Sequence, residues 1–386
     1  MHVDERLLAW LSVGLCGKAP TDDMIHDSDE DTLLSLYGLS AKHDLAHVVG
    51  TALSENGVLG NGTAAAKFQK KCMTAVFRYE GLKYELEEVC RVLEEGKIAF
   101  MPLKGAILRD LYPEPWMRTS CDIDVLVHEE ELREAVELLK EQLGYTEHEQ
   151  NTHDISLFSP SGIHVELHYS LVEDGLLGEA SEILSGVWQT SAVKEGYRFL
   201  FEMSDETFYF YHIAHMAKHF ENGGCGIRPF IDLWFLDRDC HADVAKRDAL
   251  LEKGGLLRFA ECARMLSHVW FGDGKHDDVT RNMQSYVISG GVYGNNQNRI
   301  VLQQQKKGGK LRYALSRIFV PYDTLKFQYP ILQKHAFLLP FMQVRRWFRL
   351  AFCGGMRRSV KELSYSGKVS KTEADAVKDF LNQIGL

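Results

Sequence analysis

Apolar positions along the first 97 residues recur every three to four residues, the period of helices that bury one face. The clearest run begins at Thr63, read as an N-cap. It continues through Phe68, Cys72, Val76, Tyr79, Leu82, Leu86, Val89 and Leu93 to a stop at Gly96. The period then shortens. Residues 98–102 (IAFMP) read as a strand, followed by a tight turn at Lys104-Gly105 and a helical stretch carrying Ala106, Ile107, Leu108 and Leu111. A second strand is predicted over 122–127. An amphipathic helix follows through Leu132, Ala135, Val136, Leu139 and Leu143, ended by Gly144. Strands near 145–149, 154–158 and 163–168 come next, the last two joined at Pro160-Ser161-Gly162. After about residue 200 the helical period returns. Asp205 is read as the cap of a helix through Phe220, with further helices near 229–238, 243–252 and 256–271. Gly290, Gly291, Gly294 and the run NNQN predict a loop around 289–298, and Gly308-Gly309 another. The expected class is α+β: a helical region over 1–97, a core with a small mixed β-sheet over 98–200, and a mainly helical region over 201–386.

Composition narrows this picture. With 386 residues and 45% hydrophobic content, the chain can build more than one core. Its cysteines (16, 72, 90, 121, 225, 240, 262 and 353) form no CxxC pair and no regular framework, so reduced thiols and a cytoplasmic protein are expected. The apolar stretch LLAWLSVGLCG follows Asp4 and Glu5 rather than Lys or Arg, which reads as a packed helix and not a secretion signal. No segment has the length of apolar chain that stable membrane insertion needs.

Net charge is −10, yet residues 299–371 hold 16 Lys and Arg against Asp323 and Glu362. Either a polyanion docks there, whether nucleic acid, acidic lipid or a phosphorylated substrate, or this basic region packs beside the acidic remainder of the chain. Within it Arg345, Arg346, Arg349, Arg357 and Arg358 interleave with Trp347, Phe348 and Phe352. Such a stripe binds RNA, lies on an anionic membrane, or closes a core while exposing its arginines; the last is the expectation.

Candidate chemistry concentrates in the middle third. Asp122 and Asp124, at i and i+2 of a strand, point to one face and suit a shared divalent metal. Glu166 lies between Val165 and Leu167 in a strand that otherwise reads as buried, where a carboxylate needs a partner. Three carboxylates make the oxygen-rich cage that Mg²⁺ prefers, with room for water and substrate phosphates. His164 and His168 flank Glu166 on its own face, placed to orient it, to meet substrate, or to pack. His212, His215 and His219 share one helical face. They are candidates for a metal-hydrolase site, although no HExxH accompanies them. Alternatively they line a cleft opposite the sheet, where Lys218 and Arg228 meet nucleotide or acceptor, or are ordinary partly buried histidines.

The stretch LKGAILRDLYPEPWMRTSCDIDVLV, followed by GY and by VELHYSL, resembles the uncharacterised nucleotidyltransferase family of the DNA polymerase β-like superfamily over residues 98–170. HIAHMAKHF and GIRPFIDLWFL are similar to that family's helical half. The resemblance implies a nucleotidyltransferase core in which Asp122, Asp124 and Glu166 hold two Mg²⁺ ions. It implies transfer of a nucleoside monophosphate from an NTP, ATP by default, to a hydroxyl or phosphate acceptor with release of pyrophosphate. The acceptor can be a small molecule, a peptide, a protein or RNA. Lys104, Gly105 and Arg118 would then bind the nucleotide phosphates. One departure stands out: many superfamily members have Gly-Ser or Gly-Gly at the first turn, and Lys104-Gly105-Ala106 stands there instead. The missing Ser hydroxyl keeps open a nucleotide-binding regulatory protein without turnover.

Overall fold

The computed structural model describes residues 1–172, 178–292, 294–352 and 371–386. Helices α1 (Val3–Cys16), α2 (Asp22–His26), α3 (Glu30–Lys42), α4 (Ala46–Glu55) and α5 (Thr63–Glu95) open the chain. In α1, Leu7, Leu8, Trp10, Leu11 and Leu15 are buried, as a packed helix requires. The 33-residue α5 starts one residue beyond its N-cap, which is Gly62 rather than Thr63. One open N–H of its first turn, that of Ala64, donates to Glu30 Oε1 on α3 at 2.8 Å.

The central segment runs β1 (Phe100–Pro102), α6 (Gly105–Leu108), β2 (Asp122–Val127), α7 (Leu132–Leu143), β3 (Thr146–Gln150), β4 (Asp154–Phe158) and β5 (His164–His168). These strands form one mixed sheet in the order β1-β2-β5-β4-β3. Only the β2–β5 pair is parallel. Alternation divides the two central strands cleanly. Ile123, Val125 and Val127 join Val165 and Leu167 in a core under α5 and α7, whereas Leu126 belongs to the larger helical core. The polar positions of β2 and β5 therefore face the helical half. At the outer edge, β3 presents Thr146, Glu147, His148 and Glu149 to solvent and carries a register shift between Glu147 and Glu149.

Beyond the sheet come α8 (Glu179–Ser185), a two-stranded ribbon β6 (Ser191–Val193) and β7 (Phe201–Met203), then α9 (Asp205–Phe220), α10 (Arg228–Asp239), α11 (Val244–Lys253), α12 (Leu257–Phe271) and α13 (Asp278–Ser289). Ser204, not Asp205, caps α9, its hydroxyl accepting from the Thr207 N–H. The larger core joins α1, α3 and α4 to α9, α10 and α12, burying Trp10, Phe210, Phe230, Phe235 and Phe259.

The chain closes with α14 (Asn296–Lys306), α15 (Lys310–Ile318), α16 (Tyr322–Gln328), α17 (Ile331–Lys334), α18 (Leu339–Phe352) and α19 (Lys371–Gln383). The NNQN run is a helix start, with Asn295 as the cap, rather than the interior of a loop. In α18 the expected exposure of the arginines holds for Arg345 and Arg349, whereas the expected closing of a core by Phe348 and Phe352 does not. Arg346 donates to the carbonyls of Arg317 and Ile318, and Arg345 and Arg349 lie over the Tyr329 ring. Phe341, Phe348 and Phe352 face outward. Carbonyls left open at the end of α15 hold the half-buried Arg346, and the Tyr329 face lies beside the exposed Arg345 and Arg349. Cys353, Arg357, Arg358 and Glu362 lie outside the described residues. Among the described residues no helix is long and apolar enough to cross a membrane.

Candidate active site

Strand register assembles the carboxylates. Asp122 pairs with His164, Asp124 with Glu166 and Leu126 with His168 across the parallel β2–β5 ladder. Period-two alternation then sets Asp122, Asp124, His164, Glu166 and His168 on one face. Two groups arise whose ligand atoms all lie within 4.8 Å of one another: Asp122, His164 and Glu166, and Asp124, Glu166 and His168. A third, His153, Asp154 and His168, extends from the second along β4.

The turn after β1 brings the cation. Leu103 N–H donates to the Asp124 carbonyl at 3.0 Å, tying the turn to β2, and Lys104 Nζ reaches Asp124 Oδ1 at 3.0 Å. Lys104 adopts φ 43°, a left-handed backbone that costs a side-chain-bearing residue on the order of 1–3 kcal/mol. Burial opposes its charge, but the Asp124 carboxylate outweighs burial and holds the ammonium's pKa above the ordinary lysine value.

Asp124 also accepts from His168 Nε2 at 2.9 Å, and the same nitrogen is 3.4 Å from Glu166 Oε2. With carboxylates on both sides, that nitrogen carries the proton. Burial works against ionised Asp124, yet Lys104 and the His168 bond hold its pKa far below the usual carboxylate range. Burial likewise disfavours a charged His168, and its bonds to Asp124 and Glu166 raise it nonetheless. Asp122 differs: burial, then the charges of Asp124 and Glu166, push its pKa up. Its carboxylate has no hydrogen bond to any described residue. Here is negative charge still lacking compensation, the condition a divalent cation relieves.

Gly105 serves its turn through space rather than conformation. A Cβ there would lie 2.7 Å from Arg118 Nη1 and 3.3 Å from Ser120 Cβ. Arg118 is partly committed elsewhere, although the charge of Asp124 also acts on it. Its Nε and Nη2 donate to Asp232 at 3.0 and 2.9 Å, and both partners are buried. Tyr112 hydroxyl donates to the same carboxylate at 2.8 Å, and Arg109 Nε donates to the Gly105 carbonyl at 2.6 Å. Sequence reasoning missed Asp232 and Arg109. A lone Asp in the apolar run FIDLWF carries the same signal as Glu166 in VEL, a charge that needs a partner.

Helix α9 faces the sheet. The charges of Lys104, Asp124 and Glu166 all act on Tyr211, and Lys218 feels Lys104, Asp154 and Glu166. Burial, then Lys104, lowers the Lys218 pKa to about 8. The three histidines of this helix do not converge. His212 Nε2 donates to the Pro229 carbonyl at 3.0 Å, while His215 and His219 pair with each other at 3.2 Å. Burial lowers all three below the ordinary histidine value. Every group of metal-ligand spacing found among the described residues is on the sheet instead, which removes the basis for a histidine-helix hydrolase. Arg228 Nη2 donates to Asp44 Oδ2 at 2.9 Å, away from the carboxylates, and Thr119 donates to the same oxygen.

A carboxylate-bearing mixed sheet, a basic turn and a helical cover accompany a family match that makes the chain a transferase of phosphorus-containing groups. The chain belongs to the family described as uncharacterised nucleotidyltransferase, which it matches over residues 29–272. Comparison with curated proteins and with solved structures finds no match.

Proposed function

We propose that this protein transfers a nucleoside monophosphate from an NTP, ATP by default, to a hydroxyl or phosphate acceptor, with loss of pyrophosphate. The observation that carries the reading is the register pair Asp124–Glu166, with Asp122 two residues away and the Lys104 ammonium alongside. Asp122, Asp124 and Glu166 would hold Mg²⁺, two ions in the full site, with His164 and His168 beside them. Bound there, the metal supplies charge neutralisation at the triphosphate and a lowered pKa for the attacking hydroxyl. The chain's own residues do the rest. His168 fixes the orientation of Asp124 and Glu166, Lys104 offers positive charge to the leaving phosphates, and the Arg118–Asp232 pair supports the turn that presents Lys104. Lys218 and His215 on α9, both within the influence of the Lys104 charge, would meet the acceptor. The cytoplasm is the proposed location, in keeping with cysteines that form no CxxC pair and no regular framework.

Incubation with α-labelled ATP, GTP, CTP or UTP, Mg²⁺ and a cell extract tests the proposal. Label should pass to an acceptor with release of pyrophosphate, and Asp122→Asn with Asp124→Asn should abolish it. Transfer undiminished in that double variant overturns the assignment. A second reading, nucleotide binding without turnover, draws on the direct Lys104–Asp124 contact, an ammonium standing where a metal ligand is needed. Saturable nucleotide binding without pyrophosphate release in any extract would select it.

A further inference from the structure

Phe341, Val344, Phe348 and Phe352 recur at three- and four-residue spacing along one face of α18, and the phenylalanines among them are 67%, 61% and 82% exposed. Leu311 and Leu315 of α15 are exposed as well, at 75% and 45%. The two helices are joined. Trp347 Nε1 and Arg346 Nη1 donate to the Ile318 carbonyl at 2.9 and 3.1 Å, and Phe319 packs edge-on against Trp347. Along this stretch of chain the charge has one sign: residues 299–352 contain 11 Lys and Arg and a single acid, Asp323, although Lys306 pairs with Glu221 and Arg349 shares a pocket with Glu147 and Glu149.

From this we infer that the α15–α18 surface is a peripheral docking site for an anionic lipid bilayer. Aromatic rings on a ridge, in a stretch that also exposes cations such as Lys307 and Arg312, match the boundary between headgroups and acyl chains: rings enter the apolar side and cations meet lipid phosphates. Other occupants fit less well. A second copy meeting this patch through a two-fold axis would set the exposed cations of the stretch against their own copies, because such an interface pairs a surface with itself. RNA can stack on phenylalanine and pair with arginine, but it has no use for exposed Leu311, Leu315 and Val344. The acids elsewhere in a chain of net charge −10 keep the remainder of the molecule off the membrane and favour one orientation. The inference does not depend on the transfer reaction, since lipid binding is read without nucleotide.

Co-sedimentation of the full chain with phosphatidylcholine vesicles, and with vesicles that also contain phosphatidylglycerol, tests it. The protein should pellet with the anionic vesicles and stay in solution with the zwitterionic ones, and rising salt should release it. Phe341→Asp with Phe348→Asp, both at exposed positions, should lower partitioning by about tenfold or more at an unchanged melting temperature. Lys307→Glu with Arg312→Glu should do so independently of the phenylalanines. The proposal is overturned if the protein ignores both vesicle types, or if the Phe pair makes no difference. It is equally overturned if light scattering shows a dimer that the Phe pair dissolves, or if single-stranded RNA binds through these residues and vesicles do not.

Discussion

Asp124 and Glu166 stand opposite each other on parallel strands, and His168 Nε2 lies 2.9 Å from a carboxylate oxygen of the first and 3.4 Å from one of the second. One protonated ring thus holds two acids at a separation their own repulsion would widen. The ring's folded-state pKa is raised above its unfolded value, so its contribution to stability is fully present below pH 6.5 and is lost as pH rises through the folded value. Urea denaturation in the presence of a chelator should show the wild type losing ground to His168→Asn between pH 6 and pH 8.5. A gap between the two that does not change with pH would remove the charged bridge.

Asp122 and Asp124 should respond oppositely to neutralisation. The Asp122 pKa is raised by burial and by the charges of Asp124 and Glu166, so its ionised form opposes folding at neutral pH. Metal-free Asp122→Asn should melt higher than wild type while its transfer rate falls by about three orders of magnitude, roughly 4 kcal/mol of transition-state stabilisation. Asp124→Asn should melt lower, because it leaves the Lys104 and His168 charges without their common partner.

The Asp232 pair predicts a non-additive result. Asp232→Ala leaves a buried Arg118 guanidinium unpaired and should cost about 3–5 kcal/mol in chemical denaturation. Arg118→Met combined with Asp232→Leu should cost clearly less than the single change, since no charge is stranded.

Backbone strain at Lys104 separates two glycine effects. Lys104→Gly and Lys104→Ala both remove the ion pair, but only Gly takes φ 43° without penalty, so the Gly variant should be more stable by about 1 kcal/mol. Gly105→Ala fails for another reason, a Cβ driven against Arg118, and should cost about 1–3 kcal/mol.

Lys218, lowered to about 8, is charged below that pH and neutral above it. If it meets the nucleotide or an anionic acceptor, KM should rise as pH increases through about 8, and Lys218→Gln should flatten that profile. An identical profile in the variant removes Lys218 from substrate binding.

Local pattern made much of this legible. Strand 122–127 and the helix ended by Gly144 stand where alternation and a left-handed glycine stop place them, and mixed α+β order follows from the sequence of periods. The register that makes Asp124 the neighbour of Glu166 was not legible, since a slip by two residues keeps every side chain on its own face and leaves no trace in either strand's pattern. Nor was the Arg118–Asp232 pair, whose partners are separated by 114 residues. The ribbon of β6 and β7 escaped because each strand is three residues long, too short for a period. In α18 helical spacing showed the stripe, but which side faces the protein depends on carbonyls of α15, another element entirely.

Strand β3 sets a limit on how these molecules associate. Its rim of Thr146, Glu147, His148 and Glu149, kinked between the two glutamates, offers an incoming β-segment neither a straight row of amides nor an apolar surface. The sheet therefore stops at β3 along this edge, which gives a neighbouring molecule a poor template for strand pairing.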